Sequence, residues 1–215
     1  MQEIHTFCDG GAKDDINGWD ETELGFHARK VAKAGWGNAV WKGEGEPRIG
    51  DIDDNMWTDL YAPVIMDQKS KYYLGATKET NNTGEISGMV EMILWLRDVD
   101  GSTRPASITY DSTYAANIAM GTSGAHTNKS IASNLRNIFQ AEKTRRYGQL
   151  YLRHVNSHKG LSAGNDRADR NATLGRRGFT CKNGRFDPEA AMISPFPPVM
   201  PPTPLEDVTI DTLTN

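Results

Sequence analysis

The stretch Ile4-His5-Thr6-Phe7-Cys8-Asp9-Gly10-Gly11-Ala12 decides the fold, because it predicts a buried strand that ends in an acid. β-Branched and aromatic residues over the first half of the stretch are typical of a strand. An acid at the end of an apolar strand is costly to bury unless it is paired or binds a cation. The two glycines allow a ligand or a second backbone to approach closely. Taken alone, the stretch also fits an ordinary strand followed by an Asp-Gly turn.

The composition indicates one soluble globular domain with extensions. The chain has 215 residues, 37% of them hydrophobic, and a mean hydropathy of -0.60. No apolar run approaches the roughly 20 residues of a membrane span, and the residues after Met1 do not form a signal peptide. The two cysteines, Cys8 and Cys181, lie too far apart in sequence to suggest a disulfide framework. We therefore expect an intracellular protein of the cytoplasm or nucleus, without membrane contact.

The charge is distributed unevenly along the chain. The net charge is -4, but residues 128–186 contain 13 Lys and Arg against 3 Asp and Glu, a net charge of +10. A basic block inside an acidic protein favours a polyanionic partner. The alternative is a basic helix face that is merely solvated.

Apolar periodicity predicts strands that alternate with helices in the second half of the chain. This alternation is typical of a layered α/β fold. The predicted strands after the first are residues 35–41, 62–66, 72–77, 107–110 and 150–155. The predicted helices begin near Thr80, Asp111, Lys129 and Asn165, with a short additional helix over residues 22–34.

The chain divides into a domain of residues 1–182 and a C-terminal tail of residues 183–215. Polar stretches at about 13–33 and 43–60 have the composition of insertions into the domain. The tail holds 7 of the 10 prolines and is acidic, so regular structure is not expected there. Pro-rich segments present extended surfaces to other proteins, which makes the tail a candidate site for a protein partner. An unengaged linker, or the remnant of a larger polyprotein, is the alternative.

Four acids stand at the ends of predicted elements: Asp9, Glu85, Asp111 and Asp169. Each has an ordinary explanation when taken singly, because acids near helix N-termini are stabilised by the helix dipole. Four acids that converge on one point would repel one another strongly without cations, so convergence would indicate a metal site.

Four motifs in order resemble the ribonuclease H family, type 1, over roughly residues 3–178. They are Asp9-Gly10-Gly11-Ala12, Thr80-Asn81-Asn82-Thr83-Gly84-Glu85, Tyr110-Asp111-Ser112-Thr113-Tyr114, and His154 to Gly160 leading into Gly164-Asn165-Asp166-Arg167-Ala168-Asp169. The resemblance implies a ribonuclease H-like three-layer α/β fold, with a five-stranded mixed sheet flanked by helices.

The resemblance also implies an endonuclease that hydrolyses the RNA strand of RNA–DNA hybrids and leaves 5′-phosphate and 3′-hydroxyl ends. Asp9, Glu85, Asp111 and Asp169 are the implied ligands of two Mg²⁺ ions, for which Mn²⁺ can substitute. Magnesium prefers carboxylate oxygens, which agrees with this set. His158 matches the family's catalytic histidine, which moves protons as the product leaves. Its loop is one residue longer than the usual family spacing to the last aspartate.

Seven further residues are expected to contact the hybrid. In the resemblance, two asparagines read 2′-hydroxyls of the RNA strand, and a second group holds a phosphate of the DNA strand. The remaining two belong to the basic block and would attract the hybrid electrostatically. The seven residues are Asn81 and Asn82 for the RNA strand, Thr80, Asn128 and Lys78 for the DNA phosphate, and Arg145 and Arg146 for the electrostatic attraction.

Two alternatives remain open from the sequence. The chain could be the ribonuclease H domain of a retroelement reverse-transcriptase polyprotein, because residues 121–127 lack the basic protrusion that some family members carry. It could also be a catalytically silent hybrid-binding module, although such a module needs no cluster of acids. A monomer is the favoured oligomeric state.

Overall fold

The computed structural model describes residues 2–12, 34–156 and 162–181. Within them, five strands and four α-helices alternate after an initial run of three strands. A 3₁₀ turn, Asp54–Met56, precedes the third strand, and a π-helical turn, Leu96–Asp100, extends the first helix. The bounds are β1 Ile4–Ala12, β2 Ala34–Trp41, β3 Trp57–Pro63, α1 Asn81–Trp95, β4 Ala106–Tyr110, α2 Thr113–Met120, α3 Lys129–Arg145, β5 Leu150–His154 and α4 Ala163–Arg176.

The strands form one mixed sheet in the order β3-β2-β1-β4-β5. The first three strands are antiparallel neighbours, with Asp9 opposite Gly37 and Ala39 opposite Asp59. Strands β1, β4 and β5 run parallel to one another. The carboxyl ends of β1 and β4 therefore lie side by side, and this edge of the sheet positions the site.

Two glycines allow helices to pack directly on the sheet backbone. A Cβ at Gly10 of β1 would lie 2.0 Å from the backbone nitrogen of Glu85 in α1. A Cβ at Gly37 of β2 would lie 1.9 Å from the backbone nitrogen of Ala172 in α4. Because Gly37 pairs with Asp9, the residue before Gly10, the two helices cover opposite faces of the sheet. The predicted three-layer fold with a five-stranded mixed sheet is confirmed.

The main core lies between the sheet and α1, with α2 and α3 packed behind α1. Helix α1 is buried almost all round, and Ile86, Met89 and Ile93 are at most 1% exposed. A smaller cluster on the α4 side joins Phe7 to Trp57 and Ala168. Helix α1 is therefore packed tightly against its neighbours, and this packing fixes the position of Glu85, the acid that it carries.

The third strand differs from its prediction. It covers Trp57–Pro63, so the predicted insertion at about 43–60 overlaps it, and residues 72–77 form no strand. The polar residues Thr58 and Asp59 interrupt the apolar pattern that would mark a strand. Asp59 is polar in this edge strand because its carboxylate binds side chains of helix α4. The predicted insertion at about 13–33, its short helix up to Ala34, and the tail 183–215 lie outside the described residues. No helix among the described residues is long and apolar enough to cross a membrane.

Candidate active site

Three of the four predicted acids meet at the edge where β1 and β4 end. Asp9 lies on β1, Asp111 directly follows β4, and Glu85 lies in the second turn of α1. One carboxylate oxygen from each lies within 4.8 Å of the other two. Asp9 and Glu85 are each only 6% exposed, while Asp111 is partly exposed. The sheet and helix α1 thus build a pocket of oxygen atoms that opens toward Asp111.

Asp169, the fourth predicted acid, reaches the same site from helix α4. It is exposed, and its proximity contributes to the raised pKa of Asp9. The four acids thus come from β1, α1, α4 and the segment after β4, which are far apart in sequence. The fold therefore gathers acids from four separate motifs around one point.

Burial and mutual repulsion raise the pKa values of the two buried acids. Burial, followed by repulsion from Asp9 and Asp111, raises the pKa of Glu85 to about 9. Burial and the charge of Asp111 raise the pKa of Asp9 to about 7, although the backbone N–H of Gly10 donates to Asp9 at 2.7 Å. Burial likewise raises the pKa of the Cys8 thiol well above its usual value. A divalent cation would favour the ionised acids, and an all-oxygen donor set suits a hard ion such as Mg²⁺ or Mn²⁺.

The N-terminus of α1 is held by a network around a buried asparagine. The Asn128 side-chain oxygen accepts from the backbone N–H groups of Thr77 at 2.7 Å and Lys78 at 2.9 Å. Its amide nitrogen donates to the Thr83 hydroxyl at 2.7 Å, and Thr80 caps the helix by accepting from the Thr83 N–H at 3.2 Å. Asn128 is 4% exposed, and both ends of its amide are engaged with the segment that begins α1. Its predicted contact with a phosphate of the DNA strand stays a prediction.

The other residues predicted to read the hybrid surround this corner and the acids. Asn81 and Asn82 open α1 and are exposed, as is Lys78, while Thr80 is partly exposed. The Asn81 side chain accepts a hydrogen bond from the Ala12 N–H at 3.3 Å, which ties the helix start to the end of β1. Lys78, Asn81 and Asn82 are accessible to a ligand, and Asn81 lies beside the end of β1, the strand that carries Asp9.

Arg146 does not lie on the surface, which contradicts its predicted contact with the hybrid. Its side chain is 0% exposed and pairs with Glu142 at 2.7 Å and Asp100 at 3.2 Å. It also donates to the backbone oxygens of Leu96 and Arg104. All of its donor nitrogens are therefore engaged inside the protein.

Arg145 is partly exposed, and its guanidinium group is engaged in several contacts within the protein. It forms a two-pronged pair with Glu142, both contacts at 2.7 Å, and donates to the backbone oxygens of Leu96, Gly101 and Ser102. The two arginines thereby satisfy the carbonyl groups at the end of α1 and its π-helical turn. The predicted contact of Arg146 with the hybrid is contradicted by its complete burial. The Arg145 side chain is 29% exposed, so its contact with the hybrid stays a prediction.

His158 lies outside the described residues, so its position relative to the acids stays a prediction. A second histidine, His154, ends β5 opposite Tyr110, and its Nε2 lies 3.1 Å from the backbone oxygen of Asp111. His154 belongs to the fourth sequence motif but had no predicted role. The parallel pairing of β5 with β4 was the signal that could have placed it beside Asp111.

The sheet order, the helices on both faces and the clustered acids define an α/β protein of the ribonuclease H-like class. A family model for RNase H matches residues 55–177, more than half of the chain, so the chain belongs to the ribonuclease H family. The family and enzyme class expected from the motifs are confirmed, and the chain is a ribonuclease H hydrolase. Strand β1, which carries Asp9, lies before the matched range, and the structure places it at the centre of the same sheet. No curated protein matches the sequence significantly.

Solved structures resemble the chain only distantly. RNase H1 from the halophilic archaeon Halobacterium salinarum NRC-1 is 14% identical, with 80% of this chain and 96% of that chain covered and a TM-score of 0.45. LC11-RNase H1 in complex with an RNA/DNA hybrid is 16% identical, with 79% and 94% covered and a TM-score of 0.46. The foamy viral protease-reverse transcriptase in complex with dsDNA is 14% identical, with 81% and 94% covered and a TM-score of 0.45.

Proposed function

We propose that this protein cleaves the RNA strand of RNA–DNA hybrids with two divalent metal ions held by Asp9, Glu85, Asp111 and Asp169. The observation that carries the proposal is the convergence of three carboxylates within 4.8 Å, two of them buried, in a chain of the ribonuclease H family. An isolated group of this kind is electrostatically unfavourable, and it is expected where cations are bound.

The residues present fit two hard cations. The charges of both Asp111 and Asp169 act on the buried Asp9, so we propose Asp9 as a central member of the ligand set that would hold the cations. When bound, two Mg²⁺ ions would supply an activated water and stabilise the leaving 3′ oxygen, giving 5′-phosphate and 3′-hydroxyl ends. The buried position of Glu85 keeps bulk water from one side of the site. We propose that His158 carries protons to and from solvent, as a histidine can near neutral pH.

The hybrid is held, in this proposal, by the rim around the start of α1. Asn81 and Asn82 offer exposed amides beside Glu85, where they can reach 2′-hydroxyls of the RNA strand. Thr80 and the exposed Lys78 offer a hydroxyl and a cation to a phosphate of the DNA strand, and Asn128 fixes the backbone beneath them. The ribonuclease H domain is proposed to span residues 1–182, with the tail 183–215 outside it.

The proposed function is tested with matched labelled duplexes. We expect cleavage of the RNA strand of an RNA–DNA hybrid with Mg²⁺, weaker or equal activity with Mn²⁺, and no activity with a chelator. Duplex RNA, duplex DNA and single-stranded RNA of the same sequence should remain intact. The products should be extended by a polymerase and degraded by a 5′-phosphate-dependent exonuclease. Binding of the hybrid without cleavage would indicate a silent binding module, and cleavage of duplex RNA would show that the substrate class is wrong.

Because Thr80 is proposed to contact the DNA strand and Asn81 the RNA strand, Thr80→Ala and Asn81→Ala should respond differently to a change in the substrate. Each should weaken hybrid cleavage by roughly 1–2 kcal/mol in kcat/KM, the size of one well-placed hydrogen bond. A hybrid whose DNA strand carries an uncharged linkage at the contacted phosphate should remove the difference between the wild type and Thr80→Ala. The same substrate should leave the Asn81→Ala defect in place. Equal responses of the two variants to this substrate would contradict the division.

A further inference from the structure

A network on the α4 side of the sheet surrounds Asp59, a residue of edge strand β3. The Asp59 carboxylate accepts two parallel hydrogen bonds from Arg167, Nε to Oδ1 and Nη2 to Oδ2, both at 2.6 Å. Its Oδ1 also accepts from the Asn171 side chain at 2.8 Å. Arg167 is 8% exposed and Asn171 is 1% exposed, so both contacts lie inside the protein. Bidentate pairs of this kind are among the strongest and most directional in proteins.

Both partners of Asp59 lie two residues from Asp169, one before it and one after it. On an α-helix a separation of two residues is about 200° of rotation, so Arg167 and Asn171 share one face and Asp169 lies on the other side. The contacts of Asp59 therefore hold the face of helix α4 that lies opposite Asp169. With side chains ending about 5–6 Å from that axis, a rotation of roughly 20° would move the Asp169 carboxylate by about 2 Å.

The surrounding contacts hold the same face of the helix. The second amide hydrogen of Asn171 goes to the backbone oxygen of Asn38 in β2 at 2.8 Å. The Arg167 guanidinium lies 5.5 Å from the centre of the Trp57 ring and donates to Asp54 at 2.7 Å. Asp54 is 77% exposed, whereas Asp59 is 25% exposed and touches both helix residues. Asp59 is thus the acid that links Arg167 to Asn171.

We propose that Asp59 is a positioning residue, which sets the rotation of α4 and thereby holds Asp169 in the geometry needed to bind a divalent cation. The inference rests on the proposed function, because it takes Asp169 as a metal ligand. Mg²⁺ requires nearly ideal octahedral geometry at short distances, so a ligand displaced by about 2 Å is lost. Residues that orient a metal ligand typically contribute roughly 10–100-fold to metal affinity or activity.

The test is a double-mutant cycle between Asp59→Asn and Asp169→Asn, read by calorimetric titration with Mg²⁺. Asp59→Asn keeps the shape of the side chain, but its amide replaces one acceptor of the Arg167 fork and removes the charge. We expect it to weaken Mg²⁺ binding and to raise the Mg²⁺ concentration for half-maximal cleavage roughly 10-fold. KM for the hybrid should change less than about twofold. In the Asp169→Asn background, Asp59→Asn should have no further effect on Mg²⁺ binding.

Two controls separate positioning from general loss of stability. Leu135→Ala, in the core of α3 and 0% exposed, should lower Tm without changing Mg²⁺ dependence. Asp67→Asn removes an exposed acid whose side chain accepts from the Lys69 N–H, and it should leave both Tm and the Mg²⁺ dependence unchanged. Wild-type Mg²⁺ binding in Asp59→Asn, or additive effects in the cycle, would overturn the inference. Wild-type Mg²⁺ binding in Asp169→Asn would instead refute the ligand role of Asp169 in the proposed function.

Discussion

Asp9→Asn should reduce hybrid cleavage by roughly a thousandfold or more while leaving the fold intact. Asp9 is the buried acid that interacts electrostatically with both Asp111 and Asp169, so its charge serves the whole cluster. A metal ligand supplies several kcal/mol of charge stabilisation in the transition state, and each step of about 1.36 kcal/mol is tenfold in rate. The amide oxygen of the introduced side chain can still accept from the Gly10 N–H, so the end of β1 keeps its geometry. Single-turnover cleavage with saturating enzyme measures the loss.

The same variant should be more stable than the wild type when no metal is present. Because folding raises the pKa of Asp9 to about 7, from about 3.9 in an unfolded chain, the folded state binds the proton more tightly. The metal-free wild type therefore loses stability as pH rises from about 4 to about 7. The amide introduced by Asp9→Asn cannot ionise, so the variant avoids this loss. The gain in Tm of Asp9→Asn over the wild type should be absent at pH ~4 and present at pH ~8. Mg²⁺ should reduce or reverse this gain.

A matched control for Asp9→Asn is Asp67→Asn, which removes an exposed acid that is not a member of the cluster. It should leave cleavage unchanged and should show no pH-dependent gain in Tm. Wild-type turnover of Asp9→Asn would remove Asp9 from the catalytic site. A Tm difference that is independent of pH would show that the repulsion among the acids does not limit stability.

Three of the acids could be located from the sequence because the pattern marks the elements that carry them. Asp9 lies in the second half of β1, Asp111 follows β4, and the Thr80 cap fixes the start of the helix that carries Glu85. Asp169 lies inside α4, where no element end marks it. Their convergence was expected from the resemblance to the ribonuclease H family. The parallel pairing of β1 with β4, which places the carboxyl ends of both strands at one edge, is a physical reason for it.

The basic block could not be interpreted from the sequence, because charge counts do not distinguish buried from exposed arginines. The partners of Arg146 are Glu142, four residues earlier, and Asp100 and Leu96, which lie 46 and 50 residues earlier in the chain. Contacts of that separation depend on how α3 packs against the end of α1, which no local pattern reveals. The position of strand β3 was predicted wrongly for a similar reason. Its polar residue Asp59 interrupts the apolar pattern, and its partners, Arg167 and Asn171, lie more than 100 residues later in the chain.

Arg146→Ala should therefore destabilise the protein strongly, in contrast to a surface basic residue. The variant leaves the buried acids Glu142, 1% exposed, and Asp100, whose side chain is 8% exposed, without their shared cation. Breaking a buried pair on one side typically costs about 3–5 kcal/mol, which corresponds to roughly 6–20 °C in Tm for a chain of this size. Thermal and urea unfolding measure the change in the free energy of unfolding.

Lys129→Ala is the control for Arg146→Ala, because it removes an exposed basic residue from the first turn of the same helix. It should change the free energy of unfolding by no more than about 0.5 kcal/mol. At a temperature well below its Tm, Arg146→Ala should bind the hybrid with the wild-type dependence on salt, since a residue with no exposure neutralises no phosphate. A shallower salt dependence combined with wild-type stability would instead place Arg146 at the hybrid and contradict its buried role.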